Sequence, residues 1–340
     1  MKNSLKLAMS IQPLLLREPI HIAGHCFFEV PVLEVSLRDA LHVGRGEAAG
    51  VFYMQDAPAG MLPTLEALRH EIEAGLSRTT LRDRLPPGGA RNALDCAMWE
   101  LEAEKQGCAV WRLAGLQSTR PLRTTFTMSA DTPEVMAGHA RSFSHARALK
   151  LKLTGEVELD IERVRTVRRV RPDVWMGVDA NQSYSLATID KLLPVLVDCR
   201  IDMLEQPFAR GREQDMRAVT FPLETAADES CLDLNELEQI VGCFDVVNIK
   251  LDKCGGLTEG LMMAARARQL GLKVMVGCMC GTSLAMAPAF VLGQLCDIVD
   301  LDMPIFLARD HVPSVRYVGG QIYCSEEVWG GQRGRLVRAD

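Results

Sequence analysis

From about residue 122 onward the apolar positions fall into a rhythm. Short apolar or β-branched runs begin near Leu122, Leu149, Val174, Ile201, Leu223, Val246, Lys273 and Ile298. Between them lie stretches with apolar residues at helical spacing: Asp160 to Val170, Leu186 to Leu196, Leu234 to Val241 and Leu257 to Leu270. Short strands alternating with helices at a repeat of roughly 25 residues predict an α/β fold, a modified (β/α)8 barrel of the TIM type. A doubly wound open sheet is the alternative. It would gather its ligand residues at one switch point, whereas here a polar residue ends nearly every strand.

Ahead of residue 118 the pattern is different. Val32 to Leu37, opening just after Pro31, predicts a strand. The turn Gly44-Arg45-Gly46-Glu47 follows, then helical stretches at Pro63 to Leu76 and Arg91 to Gln106. The expected organisation is an α+β capping domain over residues 1–117, a barrel over 118–310, and a Gly-rich segment, 311–340, packing back on the cap. The glycines between Gly44 and Gly50 miss the spacing of a dinucleotide fingerprint, so no nucleotide site is expected there.

Composition narrows the class. The 340 residues are 48% hydrophobic and 24% charged, which suits a large folded core. A formal net charge of −6 argues against nucleic acid or an anionic membrane as partner. The densest basic run, Arg163 to Arg171, has Val164, Val167 and Val170 at helical spacing and reads as a solvated helix face. No stretch of about 18 apolar residues is present to span a membrane. Met1 to Leu16 is interrupted by Gln12 and Pro13 and has no clean cleavage site, so no signal peptide is expected. Eleven scattered cysteines, with Cys278 and Cys280 the one close pair, fit reduced thiols in a cytoplasmic protein rather than disulfides or a zinc cluster.

Chemistry is concentrated at the ends of the expected strands, where a barrel of this kind builds its active site. Lys150 and Lys152 share one strand face, opposite Leu149, Leu151 and Leu153. Asp179 closes the run from Val174 to Val178, Glu205 that from Ile201 to Leu204, and Asp228 that from Leu223 to Ala227. One such carboxylate is commonly a helix cap. Three on consecutive strands lie within reach of a single cation, and oxygen-only ligands favour Mg2+ over zinc. Lys250 ends the run from Val246 to Ile249 on the sixth strand, so Lys152 and Lys250 are expected to flank the metal from opposite sides. Two opposed bases suit removal of an α-proton from one face of a metal-bound carboxylate and its return to the other. The metal would stabilise the enediolate between these steps. A lysine serves as such a base only if its pKa is lowered, for which Lys150 and the metal are the expected causes.

The Lys-x-Lys, the acids within Val178-Asp179-Ala180-Asn181, Leu204-Glu205-Gln206-Pro207 and Ala227-Asp228-Glu229-Ser230, and Ile249-Lys250 followed by Gly255-Gly256 resemble the enolase superfamily, in its muconate-lactonising subgroup. The likeness covers essentially the whole chain, with Gly44-x-Gly46-Glu47 and the Trp99 helix matching the capping domain. It implies an isomerase, and barrels of this family often form homo-oligomers. Within the subgroup, Asp300-Leu301-Asp302 resembles the Asp-x-Asp of the dipeptide epimerases, which holds the α-ammonium group of the substrate. The resemblance therefore implies Mg2+-assisted epimerisation of the C-terminal residue of a dipeptide. Lys152 and Lys250 would serve one enantiomer each, with Lys150 in support. An N-acylamino acid racemase and a muconate-type cycloisomerase remain as alternatives that have no use for the aspartate pair. Ala-Glu epimerases receive the glutamate side chain on an arginine in the first capping loop; His25 stands there in this chain, and no arginine lies between Glu18 and Leu37. His21, His25, Phe27, Phe52, Tyr53 and Met54 suggest a less basic pocket, with His25 and Tyr53 the expected substrate contacts and a small or hydrophobic C-terminal residue the expected guest.

Overall fold

The computed structural model describes residues 5–22 and 25–331, the side chains of residues 21, 22 and 25 excepted. Three antiparallel strands open the chain: β1 (Lys6–Ile22), β2 (His25–Arg38) and β3 (Val43–Ala48). The short β4 (Leu122–Arg123) leads to eight parallel strands: β5 (Phe126–Met128), β6 (Ala148–Lys152), β7 (Trp175–Asp179), β8 (Met203–Glu205), β9 (Glu224–Ala227), β10 (Val246–Lys250), β11 (Lys273–Gly277) and β12 (Ile298–Val299). Each pairs with its neighbour in chain order, the βαβ arrangement that a strand–helix repeat dictates. The Thr125 N–H donates to the Val299 carbonyl at 3.0 Å and the Leu301 N–H to Thr124 Oγ1 at 2.9 Å, joining the first strand to the last.

The strand expected at Leu122 is split by that closure. Buried Thr124 and Thr125 give their side chains to the last strand, so the barrel strand begins at Phe126. Leu122–Arg123 instead pairs with β14 (Gln321–Tyr323), which pairs with β13 (Arg316–Val318) in a separate small sheet. Inside the barrel, Met203, Ala226, Val246 and Met275 form an apolar plug, with Trp175 and Ile298 against it. The polar strand-end residues sit above it, toward the strand C-termini. Leu149, Leu151, Val178 and Ile249 face the other way, into the core under the helices.

The capping sheet is larger than the sequence pattern showed. β1 stands at the edge of the sheet beside β2, a position in which Pro13 is tolerated opposite Pro31, and its described side chains are largely exposed. Gly44-x-Gly46, expected as a turn, lies within β3, and its glycines make a packing contact. A Cβ at Gly44 would lie 1.9 Å from the Ala97 carbonyl oxygen and one at Gly46 2.0 Å from that of Ala93, both on the helix Gly89–Gln106. The stretch expected as one helix from Pro63 to Leu76 is two, Pro58–Ala67 and Arg69–Glu73. Near the C-terminus the Val110 N–H donates to the Gly330 carbonyl at 2.7 Å, and the Gly330 N–H donates to Glu100 at 3.1 Å.

Cap and barrel are tied by buried polar contacts. The Gly50 N–H donates to Asp252 at 2.8 Å, and both the N–H and the hydroxyl of Thr282 donate to Glu47 at 2.7 Å. His311 approaches the same corner, 3.2 Å from Glu34 and 3.8 Å from Glu47, and these two acids push its pKa up to about 10. A raised histidine pKa contributes stability that is full below the unfolded value of about 6.5 and lost as pH rises through about 10. His311→Gln is therefore expected to melt below the parent at pH 7, with the gap closing by pH 10 in thermal melts across that range.

Candidate active site

Side-chain alternation puts Lys150 and Lys152 of β6 on the inner face, and strand register sets Lys152 beside Asp179 and Asp179 beside Glu205. Asp228 follows β9 and Lys250 ends β10. One oxygen of each of Asp179, Glu205 and Asp228 lies within 4.8 Å of the others, and all three residues are buried. Lys152 donates to Asp179 Oδ2 at 2.6 Å, and Lys250 to Asp228 Oδ2 at 2.7 Å. The two lysines thus stand at the outer ends of the triad. Lys150 lies against its middle, 2.8 Å from Glu205, 3.3 Å from Asp179 and 2.8 Å from Asp300.

Electrostatics bind the lysines to the acids. Burial alone would lower the pKa of Lys150, but Asp300, Glu205 and Asp179 outweigh it and hold the group well above the ordinary lysine range. Lys250 is likewise raised, Asp228 overcoming burial. In this charge environment Lys150 is a cation bound to three acids. The acids respond in two ways. Burial pushes Asp228 up, but Lys250 and Lys253 reverse this and hold it far below the usual range. Burial, then Asp228 and Asp179, push Glu229 up to about 8, and burial with Asp300 pushes Asp302 up to about 7.

This arrangement fits a divalent cation. The four buried lysines Lys150, Lys152, Lys250 and Lys253 meet six buried acids: Asp179, Glu205, Asp228, Glu229, Asp300 and Asp302. With all six acids ionised the excess is two negative charges; Mg2+ would balance it and favour the charged forms of Glu229 and Asp302, and the ligands are oxygen only. Glu205 Oε2 lies 2.8 Å from Lys150 Nζ yet makes no hydrogen bond, leaving a buried acceptor at the centre of the triad.

The aspartate pair divides its duties. Asp300 meets Lys150 with one oxygen and the Thr125 hydroxyl with the other. Asp302 takes the Thr127 N–H on Oδ2 at 2.5 Å. Both line the cavity above the triad, as do Lys150, Lys152, Lys250, Asp228 and Tyr53. Its roof is apolar: Leu16, Ile20, Phe27, Phe52, Met303 and Phe306. Phe27, Phe52 and Tyr53 meet edge to face with centroids 5.3 Å apart. Met54 is about half exposed and does not line the cavity. The side chains of His21 and His25 lie outside the described residues.

Two further residues hold the ligands. Asn248 donates to Glu205 Oε1 at 2.8 Å; its place two residues before Lys250, on the same strand face, was a signal in the sequence. Lys253 donates to Asp228 Oδ1 at 2.7 Å and to the carbonyls of Asp228, Cys231 and Asn248 at 2.5–3.0 Å. It lies on the short helix Leu251–Cys254, where strand alternation gives no hint of it. Gln206, at the left-handed φ of 41°, uses its amide to join the ends of β8 and β9 through Phe208, Asp228 and Ser230.

Known proteins resemble this chain in sequence and fold. Residues 135–321 match the family model described as "Enolase C-terminal domain-like". The L-Ala-D/L-Glu epimerase of Escherichia coli (strain K12) is 35% identical over 308 residues, covering 91% of this chain and 96% of that protein. A solved structure of an enolase family member from Agrobacterium tumefaciens, described as having homology to dipeptide epimerases and holding sodium and L-Ala-L-Glu, superposes with a TM-score of 0.91. It is 33% identical and covers 96% of this chain and 100% of its own. The dipeptide epimerase of Methylococcus capsulatus, complexed with Mg and L-Arg-D-Lys, superposes at 0.88 with 28% identity, over 95% and 97%. Barrel, cap, lysines and acids together with these relatives give one conclusion: the chain belongs to the enolase superfamily, in the branch of its dipeptide epimerases.

Proposed function

We propose that the chain epimerises the C-terminal residue of a dipeptide by transfer of its α-proton between Lys152 and Lys250. The observation that carries this reading is the placement of those two lysines at opposite ends of one carboxylate triad, beneath a cavity that Asp302 also lines. Asp179, Glu205 and Asp228 would hold Mg2+, which would supply the charge that makes an α-proton beside a carboxylate removable. Lys152 takes the proton from one enantiomer and Lys250 returns one to the opposite face; for the other enantiomer the roles exchange. Lys150, bound to Glu205 and Asp300, fixes the spacing between the metal end and the ammonium end of the site. Asp302, one oxygen held by Thr127, turns its carboxylate to the substrate ammonium, with Asp300 beside it. Tyr53 closes the side of the cavity next to Lys250, in contact with the C-terminal residue.

The aspartate pair favours a dipeptide over an N-acylamino acid, whose amide carries no charge to match it. Asp302→Asn is expected to lower kcat/KM on dipeptides about a hundredfold, since a hydrogen bond to a charged group is lost from a buried site. Equal losses on dipeptide and N-acylamino acid would overturn that assignment. The roof supports an apolar guest. Among the described residues the cations lining the cavity are Lys150, Lys152 and Lys250, each facing an acid of the site. With Mg2+ in D2O, a library of L,L-dipeptides is expected to gain deuterium at the C-terminal α-carbon of Leu, Met, Phe and Tyr members, at least roughly tenfold faster than at Asp or Glu. A preference for acidic side chains would refute the apolar pocket, and exchange in no dipeptide would refute the epimerase.

A further inference from the structure

We propose that Asn181 and Glu229 hold the hydration shell of the bound divalent cation, accepting hydrogen bonds from its water molecules; this rests on the Mg2+ reading above. Among the described residues, five buried side-chain polar atoms lack a hydrogen-bond partner within the chain: Tyr53 Oη, Asn181 Oδ1, Glu205 Oε2, Glu229 Oε2 and Asn248 Oδ1. Buried polar groups in folded proteins are nearly always paired, so a cluster of exceptions marks a place where something else supplies the partner. All five belong to residues in or beside the triad. Glu205 Oε2 would serve the cation as a ligand, and Asn248 holds the other oxygen of the same carboxylate.

Tyr53, Asn181 and Glu229 remain, all three lining the cavity over the triad; Tyr53 belongs to the capping domain, which leaves Asn181 and Glu229 beside the ligands. Each is carried on the same piece of backbone as a ligand. The Asn181 N–H donates to Asp179 Oδ1 at 2.9 Å from a left-handed φ of 42°, while Glu229 follows Asp228 directly. An acceptor thus stands at either end of the triad. Mg2+ takes six oxygens and keeps several waters, of which three carboxylates can replace only some. Water bound to a cation is a strong donor, and these two oxygens are acceptors in want of one. A purely electrostatic role for Glu229, as one more negative charge near the cation, makes a different prediction.

Calorimetric titration of Mg2+ alone into the parent protein and three variants separates the two. Glu229→Gln keeps an acceptor oxygen and loses the charge, so its affinity is expected to stay within about threefold of the parent's. Glu229→Leu and Asn181→Leu lose the acceptor and are expected to bind ten- to a hundredfold more weakly, as removal of outer-shell partners generally does. Equal losses in both Glu229 variants would show that charge alone acts, and parental affinity in both leucine variants would show that neither residue touches the shell. Either result overturns the proposal. Should a leucine variant fail to fold, proton ENDOR of Mn2+ bound to the parent decides: exchangeable water protons on the ion are expected, and their absence overturns the proposal. A parent that binds no Mg2+ would instead refute the metal reading itself.

Discussion

Alanine in place of Lys152 or Lys250 is expected to abolish epimerisation, lowering turnover by roughly 10^3-fold or more, within the range of a lost acid–base group. The structure separates this loss from a loss of fold. Without Lys152, Asp179 keeps Lys150 at 3.3 Å; without Lys250, Asp228 keeps Lys253 at 2.7 Å. Neither variant strands a buried carboxylate without a cation, so melting temperatures should stay close to the parent's. The opposed placement adds a sharper expectation. Each variant keeps the base on one face, so exchange of the α-proton into D2O should survive for one enantiomer of the C-terminal residue and vanish for the other. The two variants should show opposite preferences. NMR of the separate L,L and L,D dipeptides checks this, and near-parental turnover in either variant would end the two-base scheme.

Much of this site was legible in the sequence because barrel geometry converts position into proximity. Lys152, Asp179, Glu205 and Lys250 each close a strand and Asp228 directly follows one, and parallel strands in chain order bring their ends together whatever the helices between them do. Lys253 was not legible, since it reaches Asp228 from a helix one turn past the strand. Nor was the split at Leu122, where two threonines look like ordinary strand residues until the last strand closes on them. β1 stayed hidden because an edge strand exposed on much of its length shows no clean alternation. The cavity roof was partly visible. Phe27, Phe52 and Tyr53 stood out as aromatic residues near the capping turn, but Leu16, Ile20, Met303 and Phe306 join them only through long-range packing between the capping hairpin and the segment after β12.

Removing the divalent cation is expected to stop turnover completely while leaving the protein folded. Lysines contact every member of the triad: Lys152 and Lys150 on Asp179, Lys150 on Glu205, Lys250 and Lys253 on Asp228. Buried acids so paired do not drive the barrel apart when the metal leaves. Chelation by EDTA should thus remove activity and preserve the far-ultraviolet circular dichroism. Adding Mg2+ back at a hundred times its Kd should raise stability by about 2.7 kcal/mol through binding to the native state alone. For a chain of this length that is an increase of several degrees in melting temperature. Glu205→Gln should show neither response. It removes one charge from the centre of the triad but leaves Lys150 paired with Asp179 and Asp300, so the variant should fold, melt at the same temperature with or without Mg2+, and turn over nothing. Turnover in EDTA, or a Mg2+-dependent melting shift in Glu205→Gln equal to the parent's, would show that the triad is not where the cation acts.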